Sequence, residues 1–125
     1  RADAVTGYAG TVTAVGDLPE TGTVGGILIL FGENAPVELH PFSVLHAPTV
    51  TEDGPAAGDT IAIGTQEWTV LAVGEVVRDN LLNLGHLDLK ATGATVVDMP
   101  GDVMVDATPI ALPAIGDAIR ITRPA

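Results

Sequence analysis

Three histidines are the side chains of this 125-residue chain best suited to chemistry near neutral pH: His40, His46 and His86. Imidazole is the one side chain whose ordinary pKa lies in that range, so acid, base or nucleophile chemistry is expected to use one of them. Two of the three lie in APVELHPFSVLH, residues 35–46, where His46 closes an apolar run without charge. The spacing raises the question of why an apolar strand should end on a histidine.

The residues alone leave three interpretations of these histidines open. A lone histidine on an apolar segment is usually a buried structural side chain, and this reading applies to His46 and to His86. A metal site built from the three histidines and a carboxylate such as Glu38 is a second reading. Its spacing matches no compact ligand signature, and His40 precedes Pro41, which restricts the backbone to extended geometry. Catalysis is the third.

Other common catalytic arrangements are absent from the sequence. Ser43 is the only serine and no Gly-x-Ser-x-Gly segment surrounds it, which argues against serine hydrolysis. The segment TGTVGG, residues 21–26, has glycines but no lysine or following helix, so a hairpin turn is a better interpretation than a nucleotide site. The chain has no cysteine, which excludes disulfides, thiolate nucleophiles and cysteine-bound zinc, and fits a reducing cytoplasm.

The charge balance narrows the kinds of partner. Five basic residues against sixteen acidic ones give a net charge of −11, which would repel nucleic acid and anionic lipid. A basic protein face is the better partner, although the charge could simply maintain solubility. The longest apolar stretches, such as ILILF at 27–31, are far shorter than a membrane-spanning segment, so we expect a soluble protein without direct membrane insertion.

The remaining sequence must build the frame that positions the histidines. β-branched and alternating runs predict strands at 8–15, 23–31, 60–64, 68–77, 87–91, 102–106 and 118–122. Gly, Pro and Asp turns separate these runs, and the pattern Gly-Asp-x-Ile-x-Ile starts at both Gly58 and Gly116. We therefore predict an all-β fold, a closed or partly closed β-barrel, in a single domain over residues 1–125.

One segment, RDNLLNLGH at 78–86, departs from the strand pattern. Asp79 or Asn80 could cap a helix start, the leucines form an apolar side, and Gly85 supplies a left-handed stop. The segment predicts one short helix of about two turns, too short to be stable unless it packs on the barrel. His86 follows the glycine directly and enters the next predicted strand.

Three segments together closely resemble one protein family: ENAPVELHPFSVLH, TVLAVGEVVRDNLLNLGHLDLKATG and MPGDVMVD. The family is the enzyme IIA component of the glucitol/sorbitol-specific sugar phosphotransferase system. The resemblance runs from about Thr11 to Ile121 and is most specific over residues 72–86. The sequence differs from the family pattern at KATG and at Met104, which leaves the role of that hairpin and the sugar specificity open. We expect a barrel of mixed topology with one short helix.

The resemblance implies a cytoplasmic phosphocarrier, a phosphotransferase component with no cofactor or metal of its own. Such proteins accept a phosphoryl group from the phosphohistidine of the carrier HPr and pass it to the IIB part of a IIB/IIC sugar permease. The implied acceptor is His46, with His40 a turn residue without assigned chemistry. The oligomeric state stays open, and the alternative is a non-catalytic regulatory or sugar-binding β-barrel of the same fold.

The resemblance also suggests which residues surround the acceptor. The apolar residues Phe42, Val44 and Leu45 before His46 would fix its ring and exclude water. His86 would lie near His46 and orient it or stabilise a phosphoryl oxygen, with Asn80 and the amide groups beside Gly85 as further candidates. A purely structural role for the NLLNLGH segment is equally compatible with the sequence.

Overall fold

Eight strands, one 3-10 helix and one α-helix form the described part of the computed structural model, residues 4–18 and 26–125. In chain order these are β1 (Val5–Val15), β2 (Ile27–Gly32), the 3-10 helix (Val37–Phe42), β3 (Val44–Thr51), β4 (Thr60–Ile63), β5 (Gln66–Val73), α1 (Val77–Leu84), β6 (Leu87–Lys90), β7 (Asp102–Val105) and β8 (Ala118–Arg123). Within these ranges, neither helix has the length and apolar character needed to cross a membrane.

The eight strands close into one barrel in the order β1-β3-β2-β6-β7-β5-β4-β8, and β8 pairs with β1. Two neighbouring pairs, β2–β3 and β6–β7, are parallel, and the others are antiparallel. The prediction of a closed barrel of mixed topology with one short helix is confirmed. Each of the eight strands therefore has a neighbouring strand on both sides, which limits the backbone left open to pair with another chain.

The repeated Gly-Asp-x-Ile-x-Ile pattern has a direct structural meaning. Strands β4 and β8 are antiparallel neighbours, and their inward isoleucines face each other as Ile61–Ile121 and Ile63–Ile119. All four are buried, because alternate residues of a strand point to the same face. The two halves of the repeat therefore form one patch of the barrel interior.

The barrel interior is filled by large side chains. Trp68 and Tyr8 are among the largest fully buried residues, and the Trp68 indole nitrogen donates a 2.9 Å hydrogen bond to the Thr108 carbonyl. The helix α1 buries Val77 and Leu81 into the same core. Because an eight-residue helix is not stable alone, these two residues hold it against the barrel.

Several element boundaries differ from the sequence prediction. His46 does not end a strand, since it is the third residue of β3, a strand that the sequence did not predict, and a 3-10 helix precedes it. The predicted strand 68–77 ends at Val73 because Gly74 turns the chain against Pro100, whose carbonyl oxygen lies 2.0 Å from the position of a Cβ at Gly74.

The helix and the second strand also start at other residues than predicted. The helix begins at Val77 with Val76 as its N-cap and without a side-chain cap, so neither Asp79 nor Asn80 caps it. Its stop is as predicted, because Gly85 is left-handed with φ 65°. The second strand begins at Ile27, and residues 19–25, which include most of the predicted hairpin turn at 21–26, lie outside the described residues.

Replacing Gly85 tests how tightly the end of α1 is packed. A Cβ at Gly85 would lie 2.6 Å from the Gly32 backbone nitrogen, whereas at Gly58, which also has positive φ, a Cβ meets nothing within 4 Å. We expect Gly58→Ala to lower the free energy of unfolding by about 1 kcal/mol through backbone strain alone. Gly85→Ala adds a backbone clash and should cost about 3 kcal/mol.

Urea unfolding followed by circular dichroism measures both glycine variants. Equal losses for the two variants would show that the contact between Gly85 and Gly32 relaxes without cost.

Candidate functional site

His46 lies inside the barrel wall, on a strand with neighbours on both sides. Strand β3 runs between β1 and β2, and His46 is in register with Val12 of β1 and Gly32 of β2. Its side chain is 0% exposed. Burying a group that can carry charge is unfavourable unless the group is neutral or hydrogen-bonded, so the surroundings of this ring decide its state.

Glycines on neighbouring segments provide the space for the ring. A Cβ at Gly10 would lie 2.9 Å from Cδ2 of His46, and a Cβ at Gly85 would lie 3.1 Å from its Cε1. Both distances are shorter than ordinary carbon contacts, so any larger residue at either position would displace the imidazole. The ring is therefore held between two stretches of main chain.

One hydrogen bond satisfies Nε2 of the buried imidazole. The Tyr8 hydroxyl and Nε2 of His46 are 2.6 Å apart, and the two rings meet edge to face with centroids separated by 5.7 Å and planes at 74°. Tyr8 is itself fully buried, and this burial raises its pKa to about 12. The phenol therefore stays protonated and can take part in a hydrogen bond, but it does not act as a base at neutral pH.

Burial lowers the pKa of His46 below its ordinary value. The Phe31 backbone and the charge of Glu33 act in the opposite direction, but burial is the larger effect. Although the Phe31 backbone influences the ring, Nδ1 is buried and makes no complete hydrogen bond with the described residues. The imidazole is therefore neutral at pH 7 and keeps a lone pair on one nitrogen, which is the form that can attack an electrophile.

His86 follows the left-handed Gly85 and lies against β2. Its ring stacks on Phe31 with centroids 4.1 Å apart and planes at 18°. Nδ1 donates a 3.2 Å hydrogen bond to the Leu30 carbonyl, and Nε2 is 3.7 Å from an Asp88 carboxylate oxygen. These contacts of His86 are with β2 and β6. The residue before it, Gly85, is the one that approaches the His46 ring.

A polar cluster continues from His86 along β6 and β7. Burial raises the pKa of Asp88, and the charge of Asp102 adds to this, while His86 and Lys90 oppose it. Lys90 forms a 2.7 Å ion pair with the buried Asp102. The amide of Asn80 lies beside Gly101, as does the Asp88 carboxylate. The structure thus brings Asn80 and His86 together at this cluster, while Gly85 is the predicted neighbour that contacts His46.

The other predicted residues near His46 are divided between the interior and the surface. Val44 and Leu45 are buried in β3. Phe42 lies in the 3-10 helix and is 62% exposed, so the expectation that it fixes the ring is wrong. The helical turn carries Phe42 to the outside, where the sequence suggested a continuous strand.

His40 takes a separate place on the 3-10 helix. Its Nε2 donates a 2.9 Å hydrogen bond to the Ala35 carbonyl, which closes the turn that the sequence suggested. Glu38 on the same helix is exposed. Within residues 4–18 and 26–125, no group of three or more His, Asp or Glu side chains is arranged to hold a metal ion.

A groove lies directly outside the glycine backbone that covers His46. Its volume is about 420 Å³. Its floor and sides include Phe31, Gly32, Leu39, Pro48 and Gly85. Gly85 lines the groove and also approaches the buried ring, and Gly32 lines the groove in register with His46. Apolar side chains are also exposed on the elements that border the groove, namely Val37, Phe42 and Leu84.

Sequence reasoning did not find Tyr8, Gly10 or Gly32 as parts of this site. The alternation of β1 does place Tyr8, Gly10 and Val12 on one inward face, and that signal is visible in the sequence. The pairing of β1 with β3, which brings this face to His46, depends on strand order and register. Neither can be read from the spacing of the residues.

Comparison with known proteins gives consistent matches over most of the chain. The family model described as "PTS system glucitol/sorbitol-specific IIA component" matches residues 7–120. Proteins of Shigella flexneri and Escherichia coli (strain K12), each named "PTS system glucitol/sorbitol-specific EIIA component", are 32% identical over 98 residues, which is 78% of this chain and 80% of each relative.

A solved structure is similar to the barrel as a whole. It is the crystal structure of a PTS system IIA component from Enterococcus faecalis V583, with a TM-score of 0.74 and 26% sequence identity. The match covers 89% of this chain and 96% of that one.

The buried His46 gives a specific pH dependence of stability. Its pKa in the folded protein is lowered from 6.5, so the unfolded chain binds a proton first as the pH falls. We expect the free energy of unfolding to be unaffected by His46 above about pH 7 and to fall below about pH 6.5, with a limiting slope of about 1.4 kcal/mol per pH unit.

The contribution of His46 is measured as a difference between two proteins. Urea unfolding of the wild type and of His46→Gln at a series of pH values from 5 to 8 should show the extra slope in the wild type only. Parallel pH curves would contradict a lowered pKa for this ring.

Proposed function

The chain belongs to the glucitol/sorbitol-specific IIA components of the sugar phosphotransferase system, and we propose that it is a cytoplasmic phosphocarrier of that system. In this proposal His46 accepts a phosphoryl group from the phosphohistidine of an HPr-type carrier. It passes the group to the IIB component of a IIB/IIC permease, for uptake of glucitol, sorbitol or a related polyol. The observation that carries the proposal is a neutral, precisely held imidazole inside the region that matches the family.

The state of His46 suits nucleophilic attack on phosphorus. A neutral imidazole has the lone pair that forms the nitrogen–phosphorus bond, and burial keeps the ring neutral. Phosphoryl transfer needs little covalent help from the protein beyond positioning and charge stabilisation. Two glycines and the Tyr8 hydroxyl supply the positioning here.

Complete burial of His46 means that transfer requires a movement. The ring is 0% exposed, and its cover towards the groove is the backbone of Gly32 and Gly85. In the proposed cycle this cover or the ring moves when a partner docks. In the resting position the same cover keeps water from the site, which would protect a phosphohistidine from hydrolysis.

Charge stabilisation of the phosphoryl group must come largely from the partner. Three of the basic side chains are engaged in ion pairs: Arg78 with Asp53, Lys90 with Asp102, and Arg123 with Asp59. The neighbouring charge that influences His46 is the negative Glu33. A basic partner surface would complement the net charge of −11 and supply the missing cations.

One observation favours the alternative of a non-catalytic regulatory or sugar-binding barrel. Complete burial and a hydrogen bond to a buried tyrosine are also typical of a histidine with a structural role. The two functions differ in one outcome, because the non-catalytic barrel would take up no phosphoryl group.

Phosphoryl uptake with single-histidine variants tests the proposal. The protein is incubated with phosphoenolpyruvate, enzyme I and HPr, and its intact mass is measured. We expect one phosphoryl adduct on the wild type, labile in acid and stable in base, and none on His46→Gln. His86→Gln should slow uptake on the order of ten- to a hundredfold if His86 orients the site. His40→Gln is the matched control, because His40 is half-buried on the 3-10 helix with its ring bonded to the Ala35 carbonyl, and this variant should react as the wild type does.

Two outcomes would refute the proposed function. One is a wild type that remains without phosphate when the matched partners are active on each other. The other is a His46→Gln variant that still acquires the adduct.

Ionic strength should affect the rate of this transfer. Because the chain carries a net charge of −11, encounter with a basic carrier surface is accelerated by long-range attraction. We expect the second-order rate constant of phosphoryl uptake to fall by about tenfold between low salt and 0.5 M salt. Quenched-flow measurements at several salt concentrations give the rate constant of phosphoryl uptake. A rate constant independent of salt would argue against a basic docking face on the carrier.

A further inference from the structure

We propose that Tyr8 is the positioning residue of the phosphoryl-transfer site: its hydroxyl donates to Nε2 of His46 and so fixes the rotation and the tautomer of the imidazole. This inference rests on the proposed function and adds a second residue to it. It starts from the hydrogen bond between the two side chains, which is the only one that the His46 imidazole makes with the described residues.

The contact is built into the barrel by the alternation of β1. Tyr8 and Gly10 both point inward, because they are two residues apart on one strand. Gly10 leaves the space that Cδ2 of His46 occupies, and Tyr8 then meets Nε2 at 2.6 Å. A single strand thus supplies both the room for the ring and the group that fixes its rotation.

The direction of the hydrogen bond follows from counting unsatisfied groups. If Nε2 carried the proton and donated to Tyr8, the phenolic hydrogen would be buried without an acceptor, and Nδ1 would have a lone pair without a donor. In the reverse arrangement the hydroxyl and Nε2 satisfy each other. That arrangement leaves one group without a partner among the described residues, the proton on Nδ1, against two in the other arrangement. The Phe31 backbone and the charge of Glu33 both raise the pKa of the imidazole and so favour protons on the ring. Buried groups without a partner are costly, so the second arrangement is preferred.

This tautomer leaves the lone pair on Nε2 and gives a balanced transfer step. Nε2 of His46 attacks phosphorus, the nitrogen–phosphorus bond of the carrier breaks, and its electron pair stays on the carrier imidazole. Nδ1 of His46 keeps its proton, and the Tyr8 hydroxyl exchanges Nε2 for a phosphoryl oxygen as its acceptor. Because the phenol has a pKa of about 12, Tyr8 keeps its proton throughout and acts as a donor.

Nuclear magnetic resonance of the imidazole nitrogens tests the tautomer and the reacting atom in the wild-type chain. In the ¹⁵N spectrum of the unphosphorylated protein we expect His46 to be protonated at Nδ1 and unprotonated at Nε2. After reaction with phosphoenolpyruvate, enzyme I and HPr, the phosphorus–nitrogen coupling should place the phosphoryl group on Nε2. A resting tautomer protonated at Nε2, or a phosphoryl group on Nδ1, would overturn the inference.

The variant Tyr8→Phe tests the role of the hydroxyl itself. We expect it to slow phosphoryl uptake by roughly ten- to a hundredfold, since one donor to the reacting centre is lost. It should also change the tautomer signal of His46, which a purely structural effect on the fold would not do. Thr13→Val is the matched control, because it removes another buried hydroxyl of β1 that has no hydrogen-bond partner among the described residues, and it should leave both readouts unchanged.

The outcomes separate this inference from the proposed function. If Tyr8→Phe reacts at the wild-type rate with an unchanged tautomer, while His46→Gln does not react, then Tyr8 has no positioning role and the phosphocarrier function stands. If the wild type takes up no phosphate, the function itself fails. Should Tyr8→Phe not fold, the two wild-type spectra still decide the tautomer and the reacting nitrogen.

Discussion

The structure depends on the burial of one ionisable ring inside a closed barrel. Such a ring must be neutral and must have a partner, and here burial lowers the pKa of His46 while Tyr8 supplies the hydrogen bond. The ring also needs volume in a wall where every neighbouring strand carries side chains. Gly10 and Gly85 provide this volume, so the requirement of one side chain restricts the residue type at two distant positions, while Gly32 leaves room for the end of α1.

The mixed topology of the barrel is what assembles these positions. Strand β3 is inserted between β1 and β2 and runs parallel to β2, which places His46 beside Gly32. The chain between β2 and β3 forms the 3-10 helix instead of another strand of the barrel. Helix α1 then ends over the same place, so that three segments far apart in sequence meet around one imidazole.

The sequence predicted the class of fold and singled out His46 as the implied acceptor. It did not predict the residues that surround His46. Alternating isoleucines and glycine turns are local signals, and they identified most strands and the left-handed stop at Gly85. The partner of His46 could not be predicted, because Tyr8 reaches it through strand order and register. The exposed position of Phe42 was missed for a similar reason, since a short 3-10 turn and an apolar strand have the same composition.

The surroundings of the His46 imidazole and the surface of the adjacent groove are formed by different residues. In many binding sites one set of residues forms both. The ring is enclosed mainly by main chain and by Tyr8, while the groove outside is lined by side chains such as Leu39, Pro48 and Leu84. In the proposed phosphocarrier cycle, substitutions among these groove residues would change the surface offered to a partner, while Tyr8, Gly10 and Gly85 would keep the environment of the imidazole. Partner recognition and reactivity would then vary independently by mutation.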